Sequence, residues 1–480
     1  LPMYTVEEES ADIEGRNSPM NGKRFLCATA ILLLLALFTG CQNTKVTVLE
    51  PTESSAESGA SRPVATPTVP DGSVDPTGST SQSPSALPTE PSSVTDSADP
   101  TTSGGKTLVS KFNMLTAGDN LIHRGIMQEA QNRATGEENF SFDFLYENIK
   151  EQVTASDYAV INQESIILHN RYLPGYQSGN PKANLNKYYR TDVSFVTPVD
   201  MVDALCRAGF DAFDMANNHE LDMGAAGLQW SLDWLNQNAS GKILWFGGFY
   251  DEEDRAQIRV IEVNGIRVAL LAYTYGTNVS TEIAEKEEGF RFLVPYIDDE
   301  KMVEELQQAK EVADFTVVFV HWGTEYSFEP DELQRHTAKV LAENGAGIIV
   351  GHHSHTLQPI EYIDDGKGGK VLCAYSLGTL VSTMEYSKNM LAGLFDFDLC
   401  KWDDGSVTVE NPRLTPTVFY YDRNVQNNQL LYLKDLTPSL ASSHGVGTKW
   451  GNEISPEQLY GYLHGVIDDE FLPEEYKGHL

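Results

Sequence analysis

"GIIVGHHSHTLQP", Gly347 to Pro359, carries an apolar run into three histidines within four positions, in a chain that holds 11 histidines altogether. A short apolar run opened by glycine reads as a buried strand of an α/β sheet. Imidazoles gathered at its end are suited to metal. Four other places repeat this design: "NMLTAGDNLIH" (Asp119, His123), "YAVINQES" (Asn162, Glu164), "FDMANNHELD" (Asn218, His219, Asp222) and "TVVFVHWGTEY" (His321). In open α/β sheets, sites form where the carboxyl ends of strands converge. Oxygen-rich ends beside histidine-rich ends are what a dinuclear site of Mn, Fe, Zn or Mg needs. One carboxylate bridges two cations, while imidazoles and an amide oxygen fill the remaining positions.

Each segment alone has a plainer account. A strand-end aspartate is commonly a turn or helix cap, His321 could be a satisfied core histidine, and Asn217-Asn218 could be a turn pair. Recurrence at five strand ends favours the joint reading. His353 and His355 alternate and would share one face of an extended strand, as chelation requires. His352 would face the other way, in a supporting or packing role. Asp222, three residues after His219, suits orienting an imidazole. Trp322, Glu325 and Tyr326 could line a substrate pocket, with Trp322 better read as packing beneath it.

The surrounding texture alternates short apolar runs with helical periodicity, the pattern of an α/β fold. Strands are expected at "YAVIN", "AFDMAN", "ILWFGG", "FTVVFVHW" and "VLCAYSLG", and later at "LAGLFDFDL" and "VTVENPRLTPTVFYY". Helices fit "DMVDALCRAG", "AGLQWSLDWLNQN", "DEKMVEELQQAKEVA" and "DELQRHTAKVLAENG". "IRVIEVNGIRVALLAY" predicts a hairpin with Asn-Gly at its tip.

Four segments follow. Residues 1–41 read as a leader and signal peptide, with the apolar run "FLCATAILLLLALF" after Lys23-Arg24, too short to span a membrane comfortably. The run ends in "FTGC", which resembles a bacterial lipoprotein processing site with Cys41 as the lipidated residue; an uncleaved N-terminal anchor is the alternative. Either places the rest on the extracellular face of a bacterial cell membrane. Residues 42–105, rich in Ser, Thr and Pro, form a tether too poor in apolar residues to repay its ordering entropy. Residues 106–424 form the main domain, and 425–480 a C-terminal extension packed on it. Cys206, Cys373 and Cys400 have no tight spacing, which argues against a thiolate metal site. The formal net charge of −35 disfavours nucleic acid as a partner.

The segments "AGDNLIH", "DYAVINQES", "LCRAGFDAFDMANNHELDMGAAGL", "VVFVHWGTEY", "AGIIVGHHSHTLQPIE" and "YSLGTLV" resemble the CapA-type poly-γ-glutamate capsule biosynthesis family, within the calcineurin-like metallophosphatase superfamily. The resemblance implies a metallophosphatase-like β-sandwich, two mixed sheets flanked by helices. It also implies two divalent metal ions, with Asp119, Glu164 (bridging), Asn218, His321, His353 and His355 as ligands. His219 would act as general acid or charge stabiliser. Departures are Leu121 where Asp-x-His has its histidine, so that His123 would substitute, and Gln163, Gly347 and Thr379 in place of the usual Leu, Asp and Asn. Three functions compete: a surface component of capsule assembly or export, working with membrane-bound synthase subunits; a phosphoesterase on an anionic polymer or other phosphoester; and a non-catalytic binding module.

Overall fold

The computed structural model describes residues 105–135, 139–172, 195–278 and 290–478, with the dipeptides Lys45–Val46 and Thr102–Ser103. The expected signal segment with Cys41, and nearly all of the tether, lie outside the described residues.

Two mixed sheets form the centre. In the second half of the chain, β7 (Arg259–Val263), β8 (Ile266–Thr274), β9 (Phe315–Trp322), β10 (Ile348–His353), β11 (Ile360–Asp364) and β12 (Lys370–Ala374) make one sheet in the order β7-β8-β9-β10-β12-β11. The other joins β1 (Lys106–Asp119), β2 (Tyr158–Asn162), β5 (Ala212–Asp214) and β6 (Leu244–Phe246) to β13 (Leu391–Trp402), β14 (Val407–Tyr420) and β15 (Gln429–Tyr432), in the order β15-β14-β13-β1-β2-β5-β6. A small parallel pair, β3 (Ile166–Leu168) and β4 (Val196–Pro198), lies apart. The chain is thus an α/β protein with mixed sheets flanked by helices, as expected.

Strand alternation builds its layers. Val317, Phe319, Ile348 and Val350 enter the main core shared with β1 and β2, and Phe319 meets Phe246 of the other sheet at 5.2 Å. Their neighbours Val318, Val320 and Ile349 pack instead on Met302, Leu306 and Leu341. Those residues belong to α5 (Asp299–Val312) and α6 (Glu332–Asn344), preceded in order by α1 (Arg124–Arg133), α2 (Lys150–Ala155), α3 (Asp200–Ala208) and α4 (Gly224–Asn238). An Asp331–Gln334 capping box starts α6, and Gly345, at φ 112°, ends it. The hairpin turns at Asn264 (φ 51°) and Gly265 (φ 76°), the left-handed pair its Asn-Gly tip predicts.

The second sheet continues past residue 424 through β15. Beyond it α7 (Pro438–Ser443) and α8 (Pro456–Val466) follow, and Leu459, Leu463 and Tyr476 join the main core. Two glycines permit backbone approaches that a side chain would block. A Cβ on Gly118 would stand 2.1 Å from the Gly378 carbonyl oxygen, and one on Gly351 2.0 Å from that of Tyr375.

Candidate metal centre

Parallel pairing brings the chemistry together. At the carboxyl rim of the second sheet, Asp119 is registered beside Asn162, and Asn162 beside Asp214. On the first sheet, Thr274 lies beside His321 and His321 beside His352. After His352 the chain leaves regular strand geometry, because His353 and His355 adopt φ values of 86° and 56°. Such conformations are uncommon outside glycine and concentrate at functional sites.

The two rims meet in a buried cluster. Asp119 accepts a hydrogen bond from the Asn162 amide (2.8 Å) and lies 3.0 Å from His355 Nδ1. His355 Nε2 stands 3.5 Å from Glu164 Oε1, and His321 Nε2 approaches the same oxygen at 3.4 Å. His321 Nε2 is also 3.0 Å from Asn218 Oδ1. The donor atoms of Asp119, Glu164 and His355 form one compact group, those of Glu164, His321 and His353 a second, and those of Glu325, His353 and His355 a third. Glu164 is common to the first two.

The electrostatics are those of a site lacking positive charge. Burial works to raise the Asp119 carboxyl, but His352 and His355 outweigh it and hold the group well below the usual carboxylate range. Burial, and then the Asp119 charge, push Glu164 well above that range. Burial, reinforced by His353, keeps the His321 imidazole neutral, and burial with His355 lowers His353 to about 3.

Both carboxylate oxygens of Glu164, both ring nitrogens of His352 and Nδ1 of His353 are buried without a hydrogen-bond partner. An orphaned buried polar atom costs about 1–3 kcal/mol. Cations among these atoms would satisfy the orphans, so the donor set fits metal ions. Asp119, Glu164, His321, His353 and His355 are the residues that would hold them.

His219 stands beside this cluster. Its Nδ1 lies 2.8 Å from Asp222 Oδ2, which also accepts from the Phe195 amide. With Nδ1 donating to Asp222, Nε2 is the nitrogen left to give or take a proton. The Asn218 amide donates to Asn278 Oδ1 at 3.4 Å.

His123 does not join the ligand groups: its Nδ1 accepts from the Thr383 amide (2.9 Å), and burial lowers it to about 3. The expected facing of His352, though not its supporting role, needs correction. Its Nδ1 lies 3.4 Å from Asp119 Oδ1, and its ring stacks on Phe319, so it points inward at the site. It is His353 and His355 that come round the bend. Trp322 is fully buried and donates from Nε1 to the Tyr375 carbonyl (2.9 Å). Three residues support the cluster, and of these the sequence singles out only Asn162 as a candidate. Asn162 holds Asp119, the Thr379 hydroxyl lies 3.0 Å from His355 Nδ1, and Asn389 donates to the His355 carbonyl (2.8 Å). Asn162 had a signal, its place at a strand end; Asn389, distant in sequence, had none.

Comparison with known proteins gives the same region an identity. The family model described as "Bacterial capsule synthesis protein PGA_cap" matches residues 113–384, more than half of the chain and every candidate metal ligand above. The chain is 30% identical over 268 residues to "PGA biosynthesis protein CapA" of Bacillus subtilis (strain 168), covering 56% of this chain and 64% of that protein. It is 29% identical over 295 residues to "Capsule biosynthesis protein CapA" of Bacillus anthracis, covering 60% and 64%. The match therefore spans less than two thirds of either relative's length. Among solved structures, the calcineurin-like phosphoesterase YfkN from Bacillus subtilis overlaps with a TM-score of 0.37 and 15% identity, covering 64% of this chain and 90% of that one, too loosely to carry an assignment. The chain belongs to the bacterial capsule synthesis protein family.

Proposed function

We infer that this chain works at the extracellular face of a bacterial membrane in making or exporting a poly-γ-glutamate capsule, with divalent cations that Asp119, Glu164, His321, His353 and His355 would hold. The observation that carries this reading is the sharing of Glu164 between the Asp119–His355 and His321–His353 groups, inside the region that matches the family. Such a centre, when occupied, lowers the pKa of bound water and clamps an anionic oxygen. The chain's own residues do the rest. Asp222 fixes the His219 ring so that Nε2 can pass a proton, and Asn162 fixes the Asp119 carboxylate. At the mouth, Tyr275 and Tyr326 are exposed beside His353 and His355, and Lys388 lies 5.9 Å from the Tyr326 ring. They offer stacking surface and a positive charge to an anionic polymer. Lipidation of Cys41 would hold the protein beside membrane-bound synthase subunits.

Surface polymer in a capsule-forming host lacking its own copy tests this. Wild type restores the polymer, whereas Glu164→Gln and Cys41→Ser variants, expressed at equal level, do not. Polymer restored by Glu164→Gln would overturn the metal-dependent role.

The His219–Asp222 pair favours a second reading, a phosphoesterase. Manganese-dependent hydrolysis of 4-nitrophenyl phosphate, lost in His219→Ala, would support it. Full metal content with no hydrolysis of any phosphoester would point to a binding module.

A further inference from the structure

A second cleft, of about 550 Å³, lies well away from the metal centre. It begins at Asn113, six residues before Asp119 on β1, or about 20 Å along the strand. Gln152 of α2, Asp396, Arg413 and Thr415 of β13 and β14, and Tyr432 and Lys434 line it. Its volume falls within the range of about 300–1,000 Å³ usual for small-ligand sites.

Its charges are arranged unusually. Asp396 and Arg413 are direct partners across the antiparallel β13–β14 pair. Opposite charges so placed ordinarily join. Among the described residues, neither a hydrogen bond nor an ion pair connects these two, although each feels the other's charge, and Arg413 also acts on Glu475. The neighbourhood does not forbid pairing, since Lys111 meets Asp398 at 3.2 Å and Lys434 meets Glu475 at 3.4 Å. Asp396 is moreover half-buried, and burial lifts its carboxyl to about 6, with Arg413 and an Asn113 hydrogen bond offsetting only part of that. The half-buried Asp396 carboxyl, reached also by Asn113, and the exposed Arg413 guanidinium therefore line one recess without joining each other.

The ligand follows from that pattern. Two acids (Asp396, Glu475) and two bases (Arg413, Lys434) leave the lining neutral, so it has no general attraction for a polyanion. Lys434 and Glu475 engage each other, with Glu475 also acting on Arg413 at longer range, and the Asp396–Arg413 pair suits one cation and one anion a few bonds apart. We propose that this cleft binds a free α-amino acid as its zwitterion, the ammonium on Asp396 and the carboxylate on Arg413. The fork of Arg413 matches a carboxylate in bidentate fashion. This site is independent of the metal centre and of the capsule reading.

Calorimetric titration of the full chain with L-alanine and L-glutamate tests the proposal, with N-acetyl-L-alanine and L-alaninamide as probes that lack one charge. At least one of the two amino acids should bind saturably, with each blocked form weaker by about tenfold or more. Asp396→Asn and Arg413→Gln should each lose binding to a similar degree while keeping metal content. Should either variant fold poorly, Arg413→Lys, which retains the charge but not the fork, should still weaken binding. Because amino acids also chelate metal, the titration is repeated in Glu164→Gln, where binding should persist. Failure of both amino acids to bind at millimolar concentration would overturn the proposal. So would equal binding of a blocked form, or binding lost in Glu164→Gln but kept in Asp396→Asn.

Discussion

Glu164 stands 3.5 Å from His355, yet neither of its carboxylate oxygens has a hydrogen-bond partner, and the side chain is wholly buried. A carboxyl group in that state is held against its own solvation preference. The surrounding fold must stabilise it, or something that binds must.

Divalent cation should therefore stabilise the protein markedly. At a concentration 100 times the dissociation constant, binding to the folded state alone adds about 2.7 kcal/mol. The melting temperature should rise on adding manganese and fall back with a chelator. The Glu164→Gln variant should show little of this rise.

His352 marks where strand logic and structure part. Regular alternation turns it away from His353 and His355 and predicts that His352→Ala keeps its metal. With His352 Nδ1 3.4 Å from Asp119 Oδ1, the variant should instead bind metal about 10–100-fold more weakly, as losses around a ligand commonly do. Competition with a chromophoric chelator gives the affinity. Unchanged affinity would restore the packing role.

Gly118 should tolerate nothing larger. A Cβ there meets the Gly378 carbonyl oxygen at 2.1 Å, and the Asp119 amide next door donates to that same oxygen at 3.0 Å. Gly118→Ala should cost about 1–3 kcal/mol in denaturant unfolding, and it should weaken metal binding by displacing Asp119. Gly461 of α8, with open space around its would-be Cβ, is the control; Gly461→Ala should stabilise by up to about 1 kcal/mol.

Acid should loosen the C-terminal segment through His444. The buried ring is neutral as it stands, with Nε2 donating to the Phe419 carbonyl (2.9 Å) and Nδ1 accepting from the Val446 amide (3.0 Å). Burial lowers it to about 4, the Phe419 bond opposing only in part. The unfolded chain takes up this proton first, near pH 6.5, so the stabilising contribution is complete above that pH. It is lost progressively as pH falls towards 4, by about 2 kcal/mol at pH 5. Unfolding free energies at pH 7 and 5 should show a shallower fall in His444→Gln than in wild type.

Much of this architecture was legible in the residues, for identifiable reasons. "YAVIN" and "FTVVFVHW" coincide with β2 and β9, because apolar runs buried on both faces leave a continuous signal. The hairpin was legible because Asn-Gly demands two left-handed residues. The five strand ends do gather at one place. What could not be read was local geometry: nothing in "GHHSH" announces positive φ at His353 and His355, which brings them round to the side His352 already faces. Nor could α2, at six residues, declare itself by periodicity. The role of Asn389 depends on a contact across 34 positions.

The most direct test of the account is elemental analysis of the full chain after reconstitution with manganese and removal of free ion. About two ions per chain are expected for wild type, because two donor groups share Glu164. Glu164→Gln, folded by circular dichroism, should hold less than one. Less than one ion on wild type, or two retained by Glu164→Gln, would contradict the shared-carboxylate centre.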